Sequence, residues 1–266
     1  MRRALWLLPL VIMVAACNGG GGKPRSVGRA YEVTVVGRLP DSLAAALEQP
    51  VEGLPQAEPM FDVGRRPRLD ADTRLGRAIV VGSKSRRLEM RHDVWARPQI
   101  VVLTDGSSPR RTAALLNAFE RRQQVEALRR HHNPRAAETI RKMFGIGMLV
   151  PADMGSSMVR PGFVWLSNNA PQGMTNIAVM RGPADVALAR HIKGRTDAMH
   201  MRLTAPLRPR GLWEMTGDAM GGPYVMRRVG EVTVIAFVYA PESKKRNLMR
   251  QLEAALYTIK QQHNGR

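Results

Sequence analysis

Three kinds of hydrophobic run alternate along the chain. The first is a continuous apolar stretch from Ala4 to Ala15, broken only by Pro9 and preceded by Arg2 and Arg3. The second kind is short and β-branched. Tyr31–Val36, Ala78–Gly82, Gln99–Thr104, Gly147–Pro151, Phe163–Ser167, Asn176–Met180, Leu212–Met215, Tyr224–Arg228 and Val232–Tyr239 all predict strands. Leu88–Trp95 alternates roughly, as a half-exposed strand does. The third kind is longer and helical. Asp41-Ser42 opens a short helix, Leu43 to Glu48, that Pro50 stops. Ser108-Pro109 opens a long one to about Met143, broken near Asn133-Pro134 and ended at Gly145. A helix is predicted over about 184–201, and a last one over about 243–261, with Met249, Leu252, Leu256 and Ile259 on one buried face. Residues 51–72, with Pro55, Pro59 and Pro67, read as an extended excursion.

The order β-α-β-β-β-α occurs twice, once from residue 31 and once from 176, with an extra strand pair between. The expected fold is therefore α+β, with two similar halves at 31–145 and 146–266. Consecutive strands without helical crossovers favour antiparallel sheets covered by helices.

The opening run is too short for a membrane span, which needs about 20 apolar residues. With its basic flank and the small residues Val14-Ala15-Ala16 before Cys17, it has the form of a secretory signal peptide over residues 1–16. Cys17 is the chain's single cysteine and is followed by Asn18 and four glycines. This resembles the bacterial lipobox, in which the cysteine becomes a lipidated N-terminus. Residues 17–30 then form a flexible tether. A lipidated Cys17 leaves no thiol for a disulfide, so stability has to come from a core. Asn18 rather than Asp after the cysteine resembles sorting to the outer membrane, with the domain facing the periplasm.

The chain has 41 Lys+Arg against 22 Asp+Glu, a net charge of +19, or +17 without Arg2 and Arg3. Nucleic acid is the usual partner of so basic a protein, but an exported lipoprotein seldom meets any, so none is expected. Lipid phosphates and anionic envelope polymers fit better. Only seven of the cations are lysines, and the arginines are spread along the whole chain. That pattern also suits a simple bias of genome composition. Residues 108–144 hold nine basic and three acidic side chains and form the best candidate for a basic face.

Catalytic patterns are scarce. The six histidines lack zinc-type spacing, and no nucleophile elbow or phosphate-binding glycine loop is present, so no metal or cofactor is expected and no catalytic residue is assigned. The densest unusual stretch runs from Gly211 to Tyr224. Glu214 and Asp218 lie four apart among Trp213, Gly221, Gly222 and Tyr224. An exposed loop would let Trp213 stack on a ligand while the carboxylates meet it, and two facing carboxylates could act as acid and base. A strand connection, with Trp213 in the core and Asp218 in the turn, explains more of these residues and is the favoured reading. A second oddity is Ser243-Lys244-Lys245-Arg246 at the start of the last helix, where cations oppose the macrodipole. An anion nearby would resolve the conflict, either a lipid phosphate or a carboxylate from elsewhere in the fold.

Several strings carry a family resemblance: Gly53-Leu54-Pro55-Gln56 with Glu58-Pro59-Met60-Phe61-Asp62-Val63, then Asp93-Val94-Trp95-Ala96, Ser167-Asn168-Asn169, Trp213-Glu214-Met215 with Gly217-Asp218, and residues 245–257. Over nearly all of the mature chain they resemble lipoproteins of Bacteroidetes-type bacteria grouped as domain of unknown function 4837. The resemblance implies a cell-envelope lipoprotein and brings no catalytic residues with it. The expected role is a membrane-anchored, non-enzymatic periplasmic binding or assembly module that meets an envelope protein or an anionic polymer. Two alternatives are a hydrolase of an envelope polymer using Glu214 and Asp218, and a protein that binds anionic lipid.

Overall fold

A computed structural model describes residues 22–261; Cys17 and the apolar opening run lie outside them. The chain is α+β. In order it runs β1 (Glu32–Val36), α1 (Asp41–Leu47), β2 (Asp62–Arg66), α2 (Ala71–Arg74), β3 (Ala78–Gly82), β4 (Glu89–His92) and β5 (Ile100–Thr104). Two helices follow, α3 (Pro109–Arg130) and α4 (Pro134–Phe144), then β6 (Ile146–Gly147), β7 (Gly155–Arg160), β8 (Phe163–Ser167) and β9 (Met174–Arg181). The remainder is α5 (Ala184–His191), β10 (Met201–Leu203), β11 (Arg210–Met215), β12 (Gly221–Val229), β13 (Val232–Tyr239), α6 (Arg246–Tyr257) and β14 (Lys260–Gln261).

The first sheet, in the order β2-β1-β3-β5-β4, is mostly parallel, and only β4 runs against its neighbour. The antiparallel expectation fails here because the 51–72 excursion contains strand β2 and leads into α2. Helix α1 crosses over between β1 and β2, which makes a parallel pair possible. Val33, Val35, Val80, Ile100 and Val102 pack under Leu43 and Leu47 of α1 and Leu116 and Phe119 of α3.

The second sheet, β10-β11-β12-β13-β9-β8-β7, is antiparallel throughout. Both its faces are covered. Ile177, Val179, Val234 and Val238 face α4 and α6, while Ala178, Met180, Ile235 and Phe237 face α5. Burial on both sides explains why β13, apart from Thr233, reads as a continuous apolar run. One sheet parallel and one antiparallel do not make two similar halves. Ala136, Ile140 and Phe144 of α4, which precede the boundary expected at residue 145, pack into the second core. Asn133 caps α4 by accepting from the Ala136 N–H at 3.0 Å.

Two helices are shorter than their hydrophobic periods suggest. Helix α5 ends at His191, and the chain beyond it becomes the edge strand β10. Helix α6 starts at Arg246, not at Ser243.

Candidate functional site

The Gly211–Tyr224 stretch is a hairpin of the second core. Trp213 is 3% exposed and meets the Phe237 ring edge-on at 5.4 Å between centroids. Its Nε1 donates to the Val238 carbonyl oxygen at 3.1 Å. The neighbouring glycines exist for this contact. A Cβ at Gly222 would lie 2.1 Å from that same oxygen, and one at Gly221 would lie 2.8 Å from the Trp213 carbonyl oxygen. Tyr224 is buried as well, its hydroxyl donating to the Arg208 carbonyl at 3.1 Å. Trp213 is therefore no stacking face for a ligand, which corrects the exposed-loop expectation.

The paired-carboxylate reading fails for a different reason. Arg202 of β10 stands directly opposite Glu214 of β11 and donates from Nε at 3.0 Å. Glu214 is thus engaged across the sheet. Asp218 sits exposed in the turn, where its N–H donates to the Met215 carbonyl. Gly217, at φ 71°, supplies the left-handed residue of that turn.

The basic opening of α6 turns out to be an internal seam. Glu58, only 6% exposed, accepts from the backbone N–H groups of Lys245 and Arg246 at 2.7 and 3.1 Å. The expected anion is therefore a carboxylate from the first half of the chain, capping the helix in place of a local side chain. Arg246, 3% exposed, forks onto both oxygens of Asp62 at 3.2 and 2.6 Å and also donates to the Pro59 carbonyl. These bonds hold the Asp62 carboxyl below its ordinary value, with Arg246 as the main cause. One turn on, the Arg250 guanidinium lies 3.8 Å from the centre of the Tyr31 ring, and burial lowers its pKa. Lys245 is buried and donates from Nζ to the Ser243 carbonyl, while Ser243 and Lys244 stay exposed. The helix-start N–H groups and the Arg246 guanidinium are thus occupied from within the chain.

A surface outside both expected regions has the form of a recognition site. Helix α6 buries Leu256 and ends at Tyr257, whose side is 48% exposed. Arg121 of α3 covers the Tyr257 ring, its guanidinium carbon 4.4 Å from the ring centre. Tyr257 borders two hollows. One, of about 320 Å³, lies against Val225, Met226 and Leu256; the other, of about 380 Å³, lies against Val125, Met148 and Leu149. Cations rim them. Arg227 donates to the Leu256 carbonyl at 2.9 Å and so caps the end of α6, and Arg129 and Lys260 border the second hollow. The sequence carries a faint trace of this surface: Arg121, Val125 and Arg129 recur at every fourth position of α3, and Tyr257 stands just beside the buried stripe of α6.

Comparison with known families places the hairpin and α6 together. Residues 184–258, from α5 to the end of α6, match the family described as Domain of unknown function (DUF4837). The match is narrower than the resemblance read over the whole mature chain, because residues 26–141 match another family, Domain of unknown function (DUF8532). Within residues 184–258 lie the Trp213–Gly222–Val238 contact, the basic opening of α6 and Tyr257. The seam at Glu58 and Asp62 joins the two matched stretches. A crystal structure from Bacteroides thetaiotaomicron VPI-5482 is similar at 12% identity and a TM-score of 0.27, covering 46% of this chain and 47% of that one. The chain spans about half the length of that structure. No protein of curated function matches. Among the described residues, no group of three or more His, Cys, Asp or Glu side chains could hold a metal, and no helix is long and apolar enough to cross a membrane.

Proposed function

We propose that this protein is a non-enzymatic binding or assembly module of the cell envelope, tethered through a lipid on Cys17 and facing the periplasm from the outer membrane. The Tyr257 surface carries this reading. An exposed aromatic between two apolar hollows, rimmed by cations, suits recognition of a partner. Of the two carboxylates the envelope-hydrolase alternative needs, Glu214 pairs with Arg202 and Asp218 lies exposed in the turn beyond it, which speaks for binding over acid–base chemistry. The lipid anchor rests on the lipobox at Val14-Ala15-Ala16-Cys17 and the glycine run after it.

The test is site-specific photocrosslinking in intact envelopes, with the crosslinking residue at position 257 and, as a remote exposed control, at Met90. A discrete adduct from position 257, missing from position 90 and lost from the membrane fraction in Cys17→Ser, is expected. Adducts alike at both positions, or none at 257, would end this reading of the surface.

A further inference from the structure

The Tyr257 surface also says what kind of partner it takes, an inference that rests on the binding-module reading above. Two features limit the choice. Arg121 already lies over the Tyr257 ring, so the ring is not a free platform for a sugar to stack on. What remains open is the pair of hollows, floored by Val225, Met226 and Leu256 on one side and by Val125, Met148 and Leu149 on the other. Apolar floors on both sides of one ridge call for apolar side chains on one chain. Same-face residues of an extended peptide repeat every ~6.8 Å, so alternate side chains can straddle a ridge of this kind.

The rim then sets the charge. Glu126 and Glu253 neutralise Arg129 and Arg210. Arg121, Arg227 and Lys260 make no ion pair among the described residues, which leaves three spare positive charges around the two hollows. A cationic rim around an apolar floor is complementary to a chain whose apolar side chains are flanked by acids on the same face.

We infer that this surface binds an extended peptide segment with two apolar side chains, one seated on each side of Tyr257, flanked by acidic residues on the same face.

Fluorescence anisotropy with the purified Cys17→Ser protein tests it, using a labelled Glu–Leu peptide in which Leu-Ser-Leu is flanked by two glutamates at each end. The same peptide with Ser for Leu (Glu–Ser) or Lys for Glu, polyglucuronate and phosphatidylglycerol vesicles serve as competing probes. The Glu–Leu peptide is expected to bind best. Tyr257→Ala and Arg121→Gln are each expected to weaken it by about tenfold or more, as central aromatic and arginine contacts do. Tyr257→Phe, which keeps the ring, is expected to bind like the wild type. No binding of Glu–Leu, equal binding of Glu–Ser or polyglucuronate, or indifference to Tyr257→Ala would overturn the inference. Vesicle binding that follows the same variants without peptide binding would reassign the surface to lipid headgroups. A crosslink from position 257 in envelopes, with no peptide binding, would sink the peptide chemistry and leave the binding-module reading standing. Failure of both would remove the two together.

Discussion

A methyl group at position 222 has nowhere to go. The Val238 carbonyl oxygen that it would strike is the acceptor of the Trp213 indole, so Gly222→Ala must push β12 and β13 apart or break that bond. The expected cost is about 1–3 kcal/mol in urea unfolding, the usual range for an overpacked core. Gly155→Ala makes the matching control. That glycine has open space around its missing Cβ and no positive φ, so the change should stay within about 0.5 kcal/mol. His191 offers a different single-residue test. Its ring stacks on Phe163 at 4.4 Å between centroids, and burial, helped by Arg190 and Arg160, holds its pKa below the ordinary 6.5. The unfolded chain therefore takes up a proton at this ring before the folded one does. The resulting stability is complete above pH 6.5 and is lost as pH falls from 6.5 through the lower folded value. Thermal melts across that range should show a decline in the wild type that is smaller in His191→Gln. Equal declines in the two proteins would show that His191 is not the group responsible.

Helix α6 shows what a local pattern can and cannot disclose. Its buried stripe was legible, since Met249, Leu252, Leu256 and Ile259 are all buried as their spacing predicts. Its start was not. Ser243 stands at a plausible cap position, but the N–H groups of Lys245 and Arg246 bond instead to Glu58, 187 and 188 residues away. A partner so remote leaves no mark on the local sequence beyond the unexplained cations. Strand β2 was hidden in the same way. Its Asp62–Arg66 run ends in two arginines and has only a weak apolar face, and its place is fixed by pairing with β1. The hairpin at Trp213 was legible in part: turn chemistry and a core tryptophan were one of two readings, and packing against Phe237 and Val238 decides between them. Tyr257 went unnoticed because its setting comes from α3, far back in the chain. The Glu58 cap gives the test belonging to this level. Glu58→Ala leaves two buried N–H groups without an acceptor and should cost about 1–3 kcal/mol. Glu58→Gln keeps an amide oxygen and should lose less. Equal losses in the two variants would mean that the charge, and not the acceptor, holds the helix start.

The seam at α6 joins a parallel-sheet unit to an antiparallel one, and its bonds decide whether the chain unfolds once or twice. Arg246 reaches Asp62 and Pro59, Glu58 reaches the start of α6, and Arg250 lies over Tyr31 while donating to Asn117 at 3.3 Å. Every one of these contacts crosses from the second core to the first. Asp62 is 43% exposed, so water and salt soften the loss when its partner goes; Arg246→Ala alone should cost about 1–3 kcal/mol. The acid dependence has a definite sign. Since Arg246 holds the Asp62 carboxyl below 3.8, the stabilisation is complete above pH 3.8 and disappears as pH falls through the lower folded value, leaving neutral pH unaffected. Tryptophans report the two units separately: Trp95, packed near Arg74, belongs to the first and Trp213 to the second. In the wild type at neutral pH, urea curves from proteins retaining only one of these tryptophans should coincide. In Glu58→Ala with Arg246→Ala they should separate, the Trp95 curve falling first, because the five-stranded sheet then loses its charged contacts to α6. Coincident curves in the double variant would show that apolar packing of α3 on α6 is enough to couple the two units without the charged seam.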